Sequence, residues 1–306
     1  MHNRRDGPSG QKRQTDGPTL RTISTIVLTN MNKKASRRNE SSPVRIDDLM
    51  RFAAEDIDSA KVAISINLAR GNFELAAWNA NDAVRRYLER AALLLRSRAD
   101  CERMRGELLA ALEYVTHVEK AVQRCQELEK GPKNFVHAMN LMWPMLLLML
   151  LNEWDRLSTL ERLAGMPVVQ EEGLEGESGG VDDTIMKMLF ALLERDSTAF
   201  LRAQARFAGA RSIDRYYQEY FAYDTLMACL LALDERGFGR CLEELDARFR
   251  KRATDKKLVQ LPLLGAAGAD NELVVDVWAL ALAQLARHRG MAVGFSSEVI
   301  PVDALT

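Results

Sequence analysis

From Ile46 onward, apolar residues recur three and four positions apart along most of the chain, and this spacing restricts the folds that are open to it. Because an α-helix has 3.6 residues per turn, such residues share one face of a helix, whereas a strand would need strict alternation. The first segment of this kind places Leu49, Phe52, Ala53, Ile57 and Ala60 on one face. The sequence therefore predicts an all-α fold.

The composition supports this prediction. Glycine and proline number 18 and 8, about 8% of the chain against roughly 12% in an average one, which argues against a turn-rich sandwich or barrel. With 47% apolar residues, a chain of this length can bury roughly three quarters of its unfolded surface. Only Ile23–Leu28, Ala292–Phe295 and Val299–Val302 have β-branched character, so we expect little or no β-structure.

About ten helices are expected, in an irregular helical-hairpin array or a bundle. They cover 46–71, 73–98, 100–130, 141–151, 153–164, 182–195, 197–210, 213–235, 238–252 and 271–289. Four junctions look alike, with a polar turn followed by an aromatic residue: Ala69–Phe73, Leu151–Trp154, Glu194–Phe200 and Glu235–Phe238. The last three are about 42 residues apart, the size of one helical hairpin in a stacked array.

The most apolar stretch, Leu141–Leu151, reads LMWPMLLLMLL. Its 11 residues are far fewer than the ~20 that cross a bilayer. The stretch therefore predicts a buried core helix that starts or kinks near Pro144, and no contact with a membrane is expected.

Residues 1–43 differ in composition from the rest. They hold nine Lys and Arg residues against three acids, a net charge of +6, which leaves −7 for residues 44–306. Such a segment buries too little apolar surface to order itself, so we expect a disordered basic extension before an all-helical domain over 44–306. An extension created by an upstream start codon, a basic arm that touches nucleic acid and a transit-like peptide remain open, and Met31 and Met50 are alternative starts.

The cysteines and histidines do not form a metal-binding pattern. Cys101, Cys125, Cys229 and Cys241 never approach CxxC spacing, and the four histidines lack HxxxH or HxxE spacing. We interpret the cysteines as small buried hydrophobes in a reducing compartment. Because the N-terminus also lacks a secretory signal, a cytoplasmic location is expected.

Signatures of catalysis are missing as well. Gly237-Phe238-Gly239 lacks a third glycine and a preceding strand, the glycines of 173–180 lack a Lys-Ser/Thr pair, and neither GxSxG nor HExxH occurs. The net charge of −1 gives no overall attraction to nucleic acid. We therefore expect a protein that is not an enzyme, needs no cofactor and does not bind nucleic acid directly.

The segment Gln170–Asp183, QEEGLEGESGGVDD, is a candidate partner-binding site. Its acids are Glu171, Glu172, Glu175, Glu177, Asp182 and Asp183, and it contains no base. A flexible acidic loop of this kind can enter the basic cleft of a nucleic-acid-modifying protein, imitate phosphate and accelerate the encounter. A solvated linker is the alternative interpretation.

A second candidate is the aromatic segment Asp214–Asp224. Tyr216, Tyr220 and Tyr223 follow one helical row, while Tyr217 and Phe221 lie on the adjacent row. Two aromatic rows exceed what a single core-facing stripe needs, and exposed tyrosines are favourable contacts at protein interfaces. We expect at least one row to pack in the core and the other to contact a partner.

The last 50 residues resemble the C-terminal signature of the immunity protein 49 family. The resemblance is carried by Leu261-Pro262-Leu263, Asp270, Val277–Ala283, Leu285–Gly290, Val293 and Val299–Leu305. Members of that family are largely helical bacterial proteins that accompany polymorphic toxins. The long basic N-terminal segment and the acidic glycine-rich segment depart from the family pattern.

The resemblance implies a cytosolic antitoxin that binds a cognate toxin domain and occludes its active site. No functional residue of the family is carried over to this chain. The alternative is a helical-repeat scaffold or regulatory interaction module without a toxin partner. The C-terminal residues also have a physical interpretation, in which Gly290 ends the last helix with a left-handed cap and Ile300-Pro301 folds back over that helix.

Overall fold

Ten α-helices make up most of the part of the chain that the structure, a computed structural model, describes, and this confirms the predicted all-α fold. The described residues are 46–96, 101–128, 136–166, 169–170, 179–210, 220–254, 266–267 and 275–305. Contacts group Ile46–Thr306 into one compact unit, which begins two residues after the predicted boundary at Val44. The expected disordered extension 1–43 lies outside the described residues.

The helices follow the predicted segments closely. They are α1 (Ile46–Ala69), α2 (Phe73–Arg96), α3 (Cys101–Glu127), α4 (Met142–Leu150), α5 (Trp154–Ala164), α6 (Gly179–Glu194), α7 (Ser197–Ala210), α8 (Tyr220–Leu231), α9 (Glu235–Thr254) and α10 (Val277–His288). Short 3-10 helices cover Ala138–Leu141 and Val302–Leu305.

The helix junctions that look alike in the sequence share one hydrogen-bond pattern. In the turn from α6 to α7, the N–H of Asp196 donates to the carbonyl of Ala191 at 2.9 Å, and that of Arg195 donates to Leu192 at 3.2 Å. This pair of bonds is a Schellman motif, which closes a helix through one residue with positive φ. The same pair ends α1, α4, α8 and α10. The positive-φ residues are Gly71, Asn152, Arg195, Leu233 and Gly290.

The last of the predicted hairpin junctions is displaced. The turn between α8 and α9 lies at Leu233 and Asp234, while Gly237 and Phe238 already belong to α9. The predicted junction at Glu235–Phe238 and its regular spacing are therefore wrong for this hairpin. The reason is that Asp234 caps α9 by accepting a hydrogen bond from the N–H of Gly237 at 2.9 Å, so the helix begins before the glycine.

Gly237 and Gly239 give a matched test of this turn. A Cβ atom at Gly237 would collide with Oδ2 of Asp234 and stand 3.0 Å from Sγ of Cys229, whereas a Cβ at Gly239 meets nothing within 4 Å. We expect Gly237→Ala to lower the free energy of unfolding by about 1–2 kcal/mol, because the cap is displaced. Gly239→Ala should raise that free energy by up to about 1 kcal/mol. Urea denaturation measures both, and shifts of the same sign would contradict this account of the turn.

Helix α2 is central to the first part of the domain, where it packs against α1, α3 and α4. Its inner positions are alanines: Ala76, Ala77, Ala80 and Ala83 have no exposed surface. Because alanine adds little volume between helix axes, three neighbours approach this helix closely.

The predicted core helix is confirmed as α4, in which all nine residues are buried. It packs against α2, α3, α5 and α10. Pro144 lies in its first turn, where a missing N–H removes no helical hydrogen bond, so the helix starts there and continues without a break. Among the described residues, no helix is both long and apolar enough to cross a membrane.

Within the described ranges there are four strands of two residues each, and no sequence pattern indicated them. β1 (Val136–His137) pairs in parallel with β2 (Val169–Gln170), and β3 (Ala266–Ala267) pairs antiparallel with β4 (Val275–Asp276). β4 occupies two residues of the predicted helix 271–289. The segments with β-branched character, Ala292–Phe295 and Val299–Val302, are not strands, which agrees with the expectation of little β-structure.

The segment after α10 folds back over the helix, as predicted. Gly290 has a φ of 82° and ends α10, and both Ile300 and Val302 are fully buried. The Arg287 guanidinium donates to the carbonyl of Val302 at 2.8 Å and to Asp303 at 3.1 Å. The Arg287 cation also interacts favourably with the C-terminal end of the helix dipole. Through these contacts and its buried residues, the segment stabilises the core.

Candidate interaction surface

Most of the predicted partner-binding residues lie outside the described part of the chain. This applies to Glu171, Glu172, Glu175, Glu177, Tyr216 and Tyr217, and to the side chains of Asp182, Asp183 and Tyr220. The backbones of Asp182 and Asp183 belong to α6, and that of Tyr220 begins α8. The roles proposed for these residues stay predictions.

Tyr223 corrects the prediction for the aromatic segment. Only 4% of its surface is exposed, and its ring stacks on Trp278 with the centroids 5.6 Å apart. Its hydroxyl donates to Oδ1 of Asp276 at 2.8 Å. Tyr223 is therefore a core residue, and its predicted contact with a partner is wrong because this aromatic position faces α10.

Asp276 is a buried carboxyl group that joins α8, α10 and the C-terminal segment. Besides Tyr223, its Oδ1 accepts a hydrogen bond from the N–H of Ala279 at 2.9 Å, and its own N–H donates to the carbonyl of Val299 at 2.8 Å. Its Oδ2 has no hydrogen-bond partner among the described residues. Burial raises the pKa of Asp276 to about 7, although the hydrogen bonds from Ala279, Tyr223 and Trp278 lower it.

Four of the Schellman turns connect two helices, and three of these, the turns after α4, α6 and α8, meet at the C-terminal end of α10. Trp154, which follows the first of these turns, stacks on His288 with the ring centroids 4.0 Å apart. Glu235, which follows the third, accepts a hydrogen bond from the N–H of Ala292 at 2.8 Å. We call this face the turn-end surface. It comprises residues 152–155, 194–197, 233–236 and 288–292.

Arg289 holds the turn between α6 and α7 at the C-terminal end of α10. Its guanidinium donates to the carbonyl of Leu192 and, at 3.4 Å, to that of Leu193, so it caps the C-terminal end of α6. Burial and the neighbouring Arg195 lower the pKa of Arg289 to about 10, while Glu161 raises it. Arg289 is therefore charged at neutral pH, where a cation at a helix C-terminus is favourable.

The turn-end surface carries an excess of negative charge. Its exposed acids are Glu153, Asp155, Glu194, Asp196, Asp234 and Glu235, and its exposed bases are Arg195 and Arg236. Asp196 and Asp234 also cap α7 and α9 by accepting hydrogen bonds from the N–H groups of Ala199 and Gly237. Helix starts favour acids, which explains why these turns gather them.

Two turn tips carry side chains that the backbone geometry disfavours. Arg195 and Leu233 have φ angles of 58° and 55°, in the left-handed region that glycine adopts most easily. Leu233 is also 56% exposed. The sequence does not indicate this surface, because neither the convergence of the turns nor the φ angle of a leucine has a signature in sequence.

Other polar groups of the described residues hold helices together. Arg86 of α2 lies 3.0 Å from Asp56 of α1, and Arg90 lies 2.7 Å from Glu107 of α3. These pairs join α2 to its neighbours on either side. Because their charges are taken up within the domain, we assign them a structural role.

Glu74 of α2 joins this helix to the segment that leads into α4. Its carboxylate accepts hydrogen bonds from the N–H of His137 at 2.7 Å and from the side-chain amide of Asn140 at 2.9 Å. Within the described ranges no group of three or more His, Cys, Asp or Glu residues is placed to hold a metal ion.

Three cysteines lie among packed residues. Cys125 is fully buried, and Cys229 and Cys241 are partly buried. Burial raises the pKa of each thiol, that of Cys241 to about 12. This agrees with the prediction that the cysteines act as small hydrophobes, whereas the side chain of Cys101 is outside the described part.

Comparisons of the chain with protein-family models, with curated proteins and with solved structures give no match. The resemblance to the immunity protein 49 family therefore stays a prediction that rests on the C-terminal residues named above. Several of these residues, Val277–Ala283, Ile300 and Val302, are buried, so the pattern they form is one of core packing.

Proposed function

We propose that this chain is an immunity protein, a cytosolic antitoxin that binds a cognate toxin domain and covers its active site. The observation that carries the proposal is the turn-end surface, a charged face held in place by main-chain hydrogen bonds. The resemblance of the C-terminal residues to immunity proteins supplies the kind of partner. A complex of this kind works by burying about 1,600 Å² of surface in total.

The acidic segment 170–183 contributes to recognition under this proposal. Its six carboxylates and the acids of the turn-end surface have the same sign. Charges of one sign accelerate the approach of an oppositely charged partner, while aromatic and apolar contacts hold the complex together. The proposed partner is therefore a toxin domain with a basic active-site cleft.

Binding to the product of the neighbouring gene tests this function. We expect the purified chain to form a one-to-one complex with the C-terminal domain of the secreted protein encoded beside it, and to protect cells that express that domain. The readouts are co-purification and survival. If the domain leaves cells healthy when this gene is deleted, or if no complex forms, the antitoxin proposal is wrong.

Charge reversal tests the acidic segment separately. Replacing Glu171, Glu172, Glu175 and Glu177 by lysine is expected to weaken the complex at least tenfold and to reduce its salt dependence, because steering by the segment is lost. Lysine at the exposed Glu243 and Glu244 of α9 is the matched control. An unchanged affinity would identify the segment as a linker.

The repeated turn geometry favours one alternative, a helical-repeat scaffold without a toxin partner. Four hairpins close with the same pair of hydrogen bonds, and stacked hairpins commonly present extended binding faces. The deletion experiment distinguishes the two functions, because only an antitoxin is needed for survival beside the toxin gene.

A further inference from the structure

Among the described residues, five have positive φ angles, and they are of three kinds. Gly71 and Gly290 use glycine, which adopts this conformation without a steric penalty. Asn152 is the residue that tolerates it next best. Arg195 and Leu233, at the tips of two turns of the turn-end surface, are under strain that glycine would relieve.

The fold makes little use of the Leu233 side chain. It is 56% exposed, and it is not among the partly buried apolar residues that pack against the core. An exposed leucine in a strained conformation is unfavourable both for the turn and for solvation. Backbone strain of this kind is concentrated at ligand-contacting and other functional sites.

The surroundings of Leu233 have the composition of a binding face. Acids and two arginines form a polar rim around the turns, and Trp154 is half-buried against His288. Protein interfaces combine a few apolar or aromatic anchors with a polar, solvated rim. The excess of carboxylates selects a partner surface of positive charge.

The turn-end surface is also organised in advance of binding. Each turn is closed by two main-chain hydrogen bonds, and Arg289 and Glu235 tie the turns to the end of α10. A face that is already rigid loses little conformational entropy when it is covered.

We propose that the turn-end surface is the docking face for a basic partner protein, with Leu233 as its apolar contact residue. This inference rests on the proposed function and deepens it, since the partner is the toxin domain. It predicts that stability and binding change in opposite directions when Leu233 is replaced by glycine.

Glycine substitutions test the proposal. Leu233→Gly and Arg195→Gly should leave the melting temperature unchanged or raise it by about 2–4 °C, because strain is relieved. Leu233→Gly should weaken binding to the neighbouring toxin domain at least tenfold in isothermal titration, because an exposed apolar side chain is lost. Arg195→Gly removes a cation from an acidic face and should not weaken binding to a basic partner. Val62→Ala on α1, which also trims an apolar side chain that is 61% exposed, is the control and should change neither quantity.

Several results would overturn the docking face while the antitoxin function stands. One is an unchanged affinity of Leu233→Gly for the toxin domain. Another is a fall of more than about 4 °C in the melting temperature of Leu233→Gly, because the side chain would then serve the fold.

If the wild-type chain does not bind the toxin domain, the proposed function is wrong, and a deca-lysine peptide becomes the probe of the face. Removing the charges of Glu153, Asp155 and Glu194 (E153Q, D155N, E194Q) should then weaken peptide binding at least fivefold at low salt. Removing the charges of the exposed Asp47, Glu55 and Asp58 on α1 (D47N, E55Q, D58N) should not weaken peptide binding. Equal effects of the two triple variants would overturn the docking face as well.

Discussion

Asp276→Asn is expected to raise the free energy of unfolding at pH 8 and to flatten its dependence on pH. The carboxyl group is fully buried, and its pKa rises from 3.8 to about 7 in the folded protein. A shift of about three units corresponds to roughly 4 kcal/mol between the two protonation states. An asparagine keeps the oxygen that accepts from Tyr223 and Ala279 but never carries the charge.

The sign of the pH dependence follows from proton binding. Between pH 4 and pH 7 the folded state holds a proton on Asp276 that the unfolded state has released. The contribution of this group to stability is therefore complete below about pH 4 and is lost as the pH rises through about 7. At pH 8 the variant avoids a buried charge, although the new amide nitrogen replaces an oxygen that has no partner among the described residues. We expect a net gain of about 2 kcal/mol.

Urea denaturation at pH 5 and pH 8 measures this effect. The variant should equal the wild type or fall slightly below it at pH 5 and exceed it at pH 8. Tyr223→Phe is the matched control, because it removes one donor to the carboxylate and should destabilise the wild-type chain more at pH 8 than at pH 5. A variant less stable than the wild type at both pH values would show that the ionised carboxylate is needed.

Leu147→Ala in α4 should be strongly destabilising. Leu147 has no exposed surface and lies in a helix that four others surround. Loss of a buried leucine side chain and the cavity left behind cost about 2–5 kcal/mol, which corresponds to a melting temperature lower by roughly 5–15 °C.

The control for Leu147→Ala is Leu201→Ala on α7. Leu201 is 61% exposed, so its truncation should change the free energy of unfolding by no more than about 0.5 kcal/mol. Calorimetry on both variants compares the two sites directly. Similar losses would mean that α4 is not at the centre of the core.

The helices could be predicted from sequence because each has a repeating apolar pattern and a local stop signal. Gly71 and Gly290 ended their helices as expected, and Pro144 marked the start of α4. The turn at Leu233 was misplaced, because Gly237 gave a stronger turn signal than the aspartate that caps the helix before it. Two-residue strands have no periodicity to detect, and the four of them went unpredicted.

The candidate site was harder to predict, since its residues come from distant parts of the chain. Asp276 had a usable signal, an acid directly before an Ala- and Leu-rich helix, but its contact with Tyr223 spans 53 positions. The tyrosine row could not be divided into core and surface from sequence, because both environments accept aromatic residues. The turn-end surface depends on how three hairpins pack around α10, which only tertiary structure defines.

The alanines along α2 determine where this protein can vary in sequence. Because their methyl groups already fill the narrow gaps between α2 and three neighbouring helices, a larger residue there has no space and would push several helices apart at once. The turn tips have open solvent in front of them and can accept new side chains without disturbing the core. Substitutions at this end of the domain can therefore change recognition while the helix packing that supports it stays intact.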